Sequence, residues 1–549
     1  MASSFLRPSA PSTALDLLLP APVLVQLVLL VSFLLLCVSL LLDADKRVRA
    51  VRHLPTPAST LPLLKNTLDL ALFQRRRLYC WLLDETLRHD GRTWRLKVLG
   101  RPQTVVLGSL ETFDDVLKLQ SEAFGKGATL RCIMRDVMGD GIIAADGAAW
   151  LEQRKTASAL FSLQILRDNM DAVVRNHGVL LCQRLRELSR CDGAVDLKRL
   201  FDLFTLDVFT KIGFGVDLHG LEDDANHLAA FDRCSHVLLQ RFREPMWLWR
   251  LKRALSLGAE RQHKRDIAAL DTLLADVISQ SLAEKTRRRH SDAEDNGGGS
   301  RPTLKRKRSN VDCDLLSLFL DQQLRDDAAV DATRLRDMAI NLVSAGRDTT
   351  SQSLAWFVLL MNREPETLAR IRDEIEHKLP RLRHANTVPT VQELQCLPFL
   401  EAAIRESLRL NPVVPLNSRT ATRDVSLSDG TLVKEGTHVL LPIYALNRLP
   451  AVWGDDAAEF RPERWLDPST GELLATWTPA RVACFSWGSR QCLGMRLALL
   501  ELKMVLAAVL SKFDLTTVRD PWSYSYAPTI TLSIDGPLDV MVSERQLVD

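Results

Sequence analysis

The feature that most constrains this chain is the stretch Phe485-Ser486-Trp487-Gly488-Ser489-Arg490-Gln491-Cys492-Leu493-Gly494. It sets one cysteine at the end of a glycine-bracketed loop. Leu499, Leu502, Leu506, Val509 and Leu510 then follow at helical spacing across Met495 to Leu510. Cys492 therefore stands at a helix N-terminus, where unpaired N–H groups and the positive end of the dipole favour a thiolate. Gly488 and Gly494 can take positive φ and let backbone and a flat ligand approach closely. Phe485 offers a ring to cover the sulfur, and Arg490 a cation for an anionic group. Zinc fits poorly: structural zinc recruits paired cysteines at short spacing, and the nearest other cysteine, Cys484, lies eight positions upstream. A single thiolate suits a heme iron. The plainer reading of Cys492 is an ordinary buried cysteine.

A second irregularity lies inside the longest helical pattern, Asp331 to Met361, for which Asp331 is the expected N-cap. Its middle, Ala345-Gly346-Arg347-Asp348-Thr349-Thr350-Ser351, concentrates residues that disfavour helix, Gly alone costing about 1 kcal/mol relative to Ala. Thr349 can bond back to the Ala345 carbonyl and bend the helix. Alternatively, Gly346 admits a ligand, Thr349 supplies a hydroxyl and Asp348 a carboxylate for proton traffic.

Three further patterns carry chemistry or structure. Trp150 and Arg154 share one helical face after the turn signal Asp146-Gly147, which reads either as a surface stack or as a guanidinium held for a carboxylate. Glu406 and Arg409 lie three apart on an amphipathic helix from Leu397 to Leu410. Phe460-Arg461-Pro462-Glu463-Arg464-Trp465 follows, and between them short β-type runs such as Thr437 to Leu441 predict a small sheet.

The organisation of the 549 residues is simple. No repeat or clean linker divides the chain after its N-terminus, and 71 Lys plus Arg against 68 Asp plus Glu give no global field for nucleic acid. The ten cysteines follow no disulfide framework, as suits a reducing compartment. Residues 21–42 form an apolar run of about 33 Å as a helix, enough to cross a bilayer and too long for a cleaved signal peptide. Lys46, Arg47, Arg49 and Arg52 after the run, against Arg7 before it, put the large domain in the cytosol and residues 1–20 in the lumen. Residues 43–66, with Pro55, Pro57 and Pro62, read as a basic, proline-rich hinge. Phe201 to Val216 reads as core. Residues 285–310, with charge blocks and Gly297-Gly298-Gly299, read as a disordered loop, a nuclear signal being the sharper and less favoured reading.

The motifs F-x-x-G-x-R-x-C-x-G, A-G-x-D-T-T, E-x-x-R and P-E-R resemble those of the cytochrome P-450 superfamily, and the resemblance covers nearly everything from Pro55 onward. It implies a mainly α fold with a small β region behind a transmembrane helix, residues 67–549 forming a heme-thiolate monooxygenase domain. By that resemblance Cys492 is the axial ligand of the iron of heme b. Trp150, Arg154 and Arg419, the last seven positions beyond Pro412, hold its propionates. Phe485, Gly488, Arg490, Gly494 and Gly346 complete the cofactor site, Asp348 and Thr349 serve oxygen activation, and Glu406, Arg409 and Arg464 lock the fold. Trp465 stands where the family has phenylalanine, read as a conservative change, and Lys65 stands where its hinge has glycine. Ala345, where some fatty-acid hydroxylases have glutamate, argues against covalent heme attachment.

The implied activity is insertion of one oxygen atom of O2 into a C–H bond of a lipophilic substrate. Electrons would come from NADPH-cytochrome P-450 reductase, with cytochrome b5 as a second donor, at the endoplasmic reticulum membrane. Leu335 to Thr350, Asn417 to Asp424 and Trp453 to Leu466 resemble the plant and fungal branch that hydroxylates fatty acids at or near the ω carbon, and Val413 and Val414 would give an apolar wall. The alternatives are sterol or terpenoid hydroxylation, a reductase-independent isomerase or dehydratase, and a non-catalytic heme carrier or sensor.

Overall fold

The computed structural model describes residues 45–545 apart from 162–169, 222–227, 296–313, 321–330, 475–477 and positions 315, 318, 385, 479 and 528; before residue 45 it describes seven positions between 25 and 34. The described residues are mainly helical with small sheets. The helices that position the site are α1 (Gly147–Leu160), α2 (Leu197–Phe214), α3 (Leu228–Arg243), α4 (Ala259–Asp295), α5 (Ala332–Arg363), α6 (Pro398–Leu410) and α7 (Met495–Lys512).

Helix α5 crosses the middle of the domain. Asp331 caps it as expected, accepting from Thr333 N at 2.8 Å and Arg334 N at 3.3 Å. It runs unbroken through Ala345–Ser351, and most of its residues from Leu335 to Met361 are buried. Burial against α2 outweighs the local propensity deficit, since α2 is itself buried on nearly every face, as the reading of Phe201 to Val216 as core anticipates. Helix α7 is likewise buried almost all round from Leu500 to Lys512.

The largest sheet has five strands: β1 (Trp94–Leu96), β2 (Thr104–Val106), β3 (Phe124–Gly125), β4 (Asn417–Ala421) and β5 (His438–Leu441). Their order is β1-β2-β5-β4-β3, with only the β2–β5 pair parallel. β3 meets β4 with Gly125 opposite Thr420, and this register brings Lys126 beside Arg419 across nearly three hundred residues of sequence.

Two expectations change. The stretch read as a hinge, 43–66, is from Asp45 onward docked on the domain. Val51 is fully buried, and the Pro55 carbonyl accepts from Arg95 N at 2.9 Å. Proline lacks an N–H but keeps its carbonyl, so this segment can still satisfy donors at the edge of β1. Lys65 takes φ 52°, the left-handed conformation that the family's glycine would adopt at lower cost. The supposed loop 285–310 begins as helix: α4 is the longest described helix and continues to Asp295, with Lys285 bonded to Asp314 at 2.8 Å. Ala, Glu, Lys and Arg dominate this end, and they are good helix formers whatever their charge. Residues 296–310 of that stretch, and residues 1–20, lie outside the described residues, as does most of the 21–42 run. Among the described residues no helix is long and apolar enough to cross a membrane.

Candidate active site

One cavity of about 560 Å³ gathers nearly all the residues that the sequence singles out. Phe485, Arg490, Cys492 and Gly494 line it from the loop before α7; Gly346, Asp348 and Thr349 from α5; Trp150 and Arg154 from α1; and Arg419 from β4. Glu406, Arg409 and Arg464 do not line it, in keeping with a structural place behind the site.

The cysteine loop is held from both ends. Cys492 N donates to the Phe485 carbonyl at 2.9 Å, closing the loop on itself, and Trp487 Nε1 donates to Asp114 at 2.9 Å while stacking on Phe113. Gly488 does not line the cavity: at φ 74° it packs so closely on the backbone that a Cβ would stand 1.9 Å from the Leu117 carbonyl oxygen. Gly494 departs from expectation. Its φ is −84°, it is the N-cap of α7, and a Cβ there would meet only an ordinary contact with Phe161. The Cys492 side chain is deep in the molecule yet open to the cavity. Burial pushes its thiol pKa up, against the N–H groups of Gly494 and Met495 and the charge of Arg154, which pull it down. The helix terminus thus acts in the expected direction, but burial outweighs it.

On the opposite wall, Thr349 Oγ1 donates to the Ala345 carbonyl at 2.7 Å, so the back-bonded reading is realised without breaking the helix. Its oxygen keeps acceptor capacity toward the cavity. At Gly346 the absent Cβ faces α2, where it would lie 2.1 Å from the Phe209 ring, so glycine lets the two helices meet closely while the residue still lines the cavity. Asp348 is held by Arg347 at 2.5 Å. Arg347, the variable position of its motif, is fully buried and also meets Asp202 and Asp232 at 3.1 Å. Burial raises the Asp348 pKa and Arg347 opposes the rise. Sequence reasoning missed Arg347, because its partners lie on α2 and α3.

The polar end of the cavity holds a cluster of cations. Arg490 donates to Asp146 at 2.6 Å and to the Ala145 carbonyl at 3.0 Å, with its guanidinium over Trp150. Arg419 Nη1 bonds Asn417 and the Ser418 carbonyl. Lys126, which the sequence did not flag, completes the set; nothing around it hints at a site until β3 pairs with β4. Burial first, then Arg419 and Arg490, holds the Lys126 ammonium well below its ordinary range, and burial with Arg490 pushes Arg419 down to about 10. Lys126, Arg419 and Arg490 thus share the single carboxylate Asp146, and Arg154 adds a further cation beside Arg490 and Cys492. This is a cradle short of negative charge, beside an accessible sulfur. Its donors fit a flat cofactor that carries carboxylates at one edge and a thiolate-seeking iron at its centre.

Behind the site, the Glu406 carboxylate accepts from Arg409 Nε and Nη2 at 2.7 Å, Arg464 Nε at 3.2 Å, Arg461 N at 2.9 Å and Trp465 Nε1 at 2.9 Å. Trp465 is therefore not a conservative replacement, since phenylalanine has no N–H to give.

Such a fold and cavity define a class: a mainly helical domain around a pocket that one cysteine sulfur faces. A sequence model of the cytochrome P-450 family matches residues 55–534, and the chain belongs to that family. It is a monooxygenase of the oxidoreductase class, and its family works with a heme iron, a redox partner and a lipophilic substrate. It is 32% identical over 486 residues to cytochrome P-450 CYP94D108 of Paris polyphylla, covering 85% of this chain and 91% of the relative. It is 31% identical over 474 residues to cytochrome P-450 94C1 of Arabidopsis thaliana (85% and 89%) and 28% identical over 505 residues to cytochrome P-450 94A1 of Vicia sativa (89% and 91%).

Proposed function

We propose that this protein hydroxylates medium to long fatty acids at or near the ω carbon. The observation that carries the reading is the single cavity in which Cys492 and the Asp348–Thr349 pair share a space walled by Leu78, Leu82, Leu238, Leu239, Phe242 and Val413. Apolar walls of this kind suit an alkyl chain. The similarity to relatives numbered 94 supports the same branch.

In this reading Cys492 holds the iron of heme b, while Lys126, Arg154, Arg419 and Arg490, with Trp150, hold its carboxylates. The bound heme supplies oxygen activation at the thiolate-ligated iron. The chain's residues orient the alkyl chain, keep bulk water from it, and pass protons through Asp348 and the Thr349 hydroxyl. Electrons come from NADPH-cytochrome P-450 reductase, with cytochrome b5 as a second donor. Residues 21–42 anchor the domain on the cytosolic face of the endoplasmic reticulum.

Incubation with reductase, NADPH and fatty acids of graded length, followed by mass analysis of the hydroxylated positions, tests the assignment. Products oxidised at or near the terminal carbon are expected. Turnover of a sterol with none of any fatty acid refutes it. Thr349→Ala is expected to keep substrate binding while lowering product formed per NADPH consumed several-fold; an unchanged ratio reduces Thr349 to a helix residue.

A further inference from the structure

Two arginines near the C-terminal end of α3 contrast sharply. Arg241 is satisfied: its Nε and Nη2 donate to Glu260 at 2.7 and 2.6 Å, and its Nη1 meets Asp136 at 2.8 Å. Arg243 is only 5% exposed and lines the cavity, yet its Nε and Nη2 have no hydrogen-bond partner among the described residues. The titratable groups beside it are the neutral phenols Tyr79 and Tyr526 and a second cation, Arg75, none of them a carboxylate. The adjacent acid, Glu244, is engaged elsewhere, accepting from Gln240 at 2.8 Å and Lys252 at 2.7 Å. The Tyr79 hydroxyl is spent on the Thr529 carbonyl at 2.6 Å. A buried guanidinium with idle donors costs several kcal/mol of lost hydration. A ligand carboxylate entering the cavity offsets that cost with paired N–H···O bonds.

Its position along α3 fixes what such a ligand must be. Phe231, Cys234, Leu238, Phe242 and Arg243 all line the cavity, so one face of α3 forms its wall. Phe231 marks the α5 end, its ring lying 5.4 Å from the guanidinium of Arg347, the neighbour of Asp348. Twelve residues of helix separate it from Arg243, about 18 Å along the axis. Between the two the wall is apolar except for the Ser235 hydroxyl.

We propose that Arg243 binds the substrate's carboxylate at the end of the cavity remote from Asp348 and Thr349, so that α3 measures the acyl chain and presents its ω end to the oxygen-activating side. This rests on the fatty-acid reading above and deepens it: specificity is for a free acid of long chain, and the position of attack is set by distance from Arg243.

The test is optical titration of the heme-loaded protein with hexadecanoate and with its methyl ester, which has the same chain without the charge. Wild type is expected to bind the acid more tightly than the ester. Arg243→Ala is expected to weaken acid binding about tenfold or more while leaving the ester within about twofold, and Arg243→Lys to recover part of the loss. Product analysis should show oxidation spreading from the terminal carbon inward in Arg243→Ala. Should Arg243→Ala not accumulate in loaded form, Arg243→Gln gives the same comparison. Equal affinities for acid and ester in wild type, or an equal loss of both in the variant, overturn the assignment to Arg243 and leave fatty-acid hydroxylation standing. A wild-type protein that neither binds nor oxidises any fatty acid overturns both.

Discussion

Two charge clusters, one at the cavity around Asp146 and one away from its lining around Glu406, are built on opposite principles. Around Glu406 the carboxylate and the guanidinium groups are matched. Arg409 places its five N–H donors on the two Glu406 oxygens and the carbonyls of Asn447, Ala457 and Glu459. Around Asp146, one carboxylate faces Arg490, Arg419, Lys126 and, at 3.6 Å, Arg131. A closed network of this kind holds structure, because removing any member strands the others without solvent. An open cluster is a site: its unmet charge is stabilised only when a ligand arrives.

The largest expected effect breaks the closed cluster. Glu406→Ala should cost about 3–5 kcal/mol by leaving Arg409 buried and unpaired. Urea unfolding should show this together with loss of bound heme, and a cost below about 1 kcal/mol would erase the distinction between the two clusters.

Glu501 is a third arrangement, a buried acid with neither oxygen partnered among the described residues. Burial alone pushes its pKa up to about 8. The folded state therefore keeps a proton that the unfolded chain, near its ordinary value, has released. Stability should fall as pH rises between about 4.5 and 8, by up to about 1.4 kcal/mol per unit. Glu501→Gln should abolish that slope, matching wild type near pH 4.5 and melting higher at pH 8; parallel curves across this range would contradict the assignment.

Trp465→Phe removes one charge-assisted hydrogen bond from the closed cluster and keeps an aromatic ring, so about 1.5–3 kcal/mol is expected. Denaturant midpoints at constant m-value measure it. A neutral result would mean that Arg409 and Arg464 alone satisfy Glu406.

The smallest effect on the fold is expected in the open cluster. Lys126→Met removes a cation that its neighbours repel, so the far-ultraviolet spectrum should stay unchanged while heme transfer to an acceptor protein quickens several-fold. Unfolding on this substitution would place Lys126 with the closed cluster instead.

The sequence by itself determined the chemistry: one cysteine before a helix, the A-G-x-D-T-T interruption and the Glu406–Arg409 pair are legible because their meaning lies in residues close along the chain, whereas Arg464, 58 residues from Glu406, is assigned only through the family resemblance. It also marked the core character of α2 and the cap at Asp331, which depend on local periodicity and local hydrogen bonds. Tertiary structure alone decided what each group faces. Gly346 turns to Phe209, Lys126 reaches the cation cluster through the β3–β4 register, Arg347 finds acids on two other helices, and Arg243 is left without one. Composition of a short segment fixes which bonds a side chain is able to make. Only the packing of distant segments removes water from around it and so decides which of those bonds are made, and which are left for a ligand.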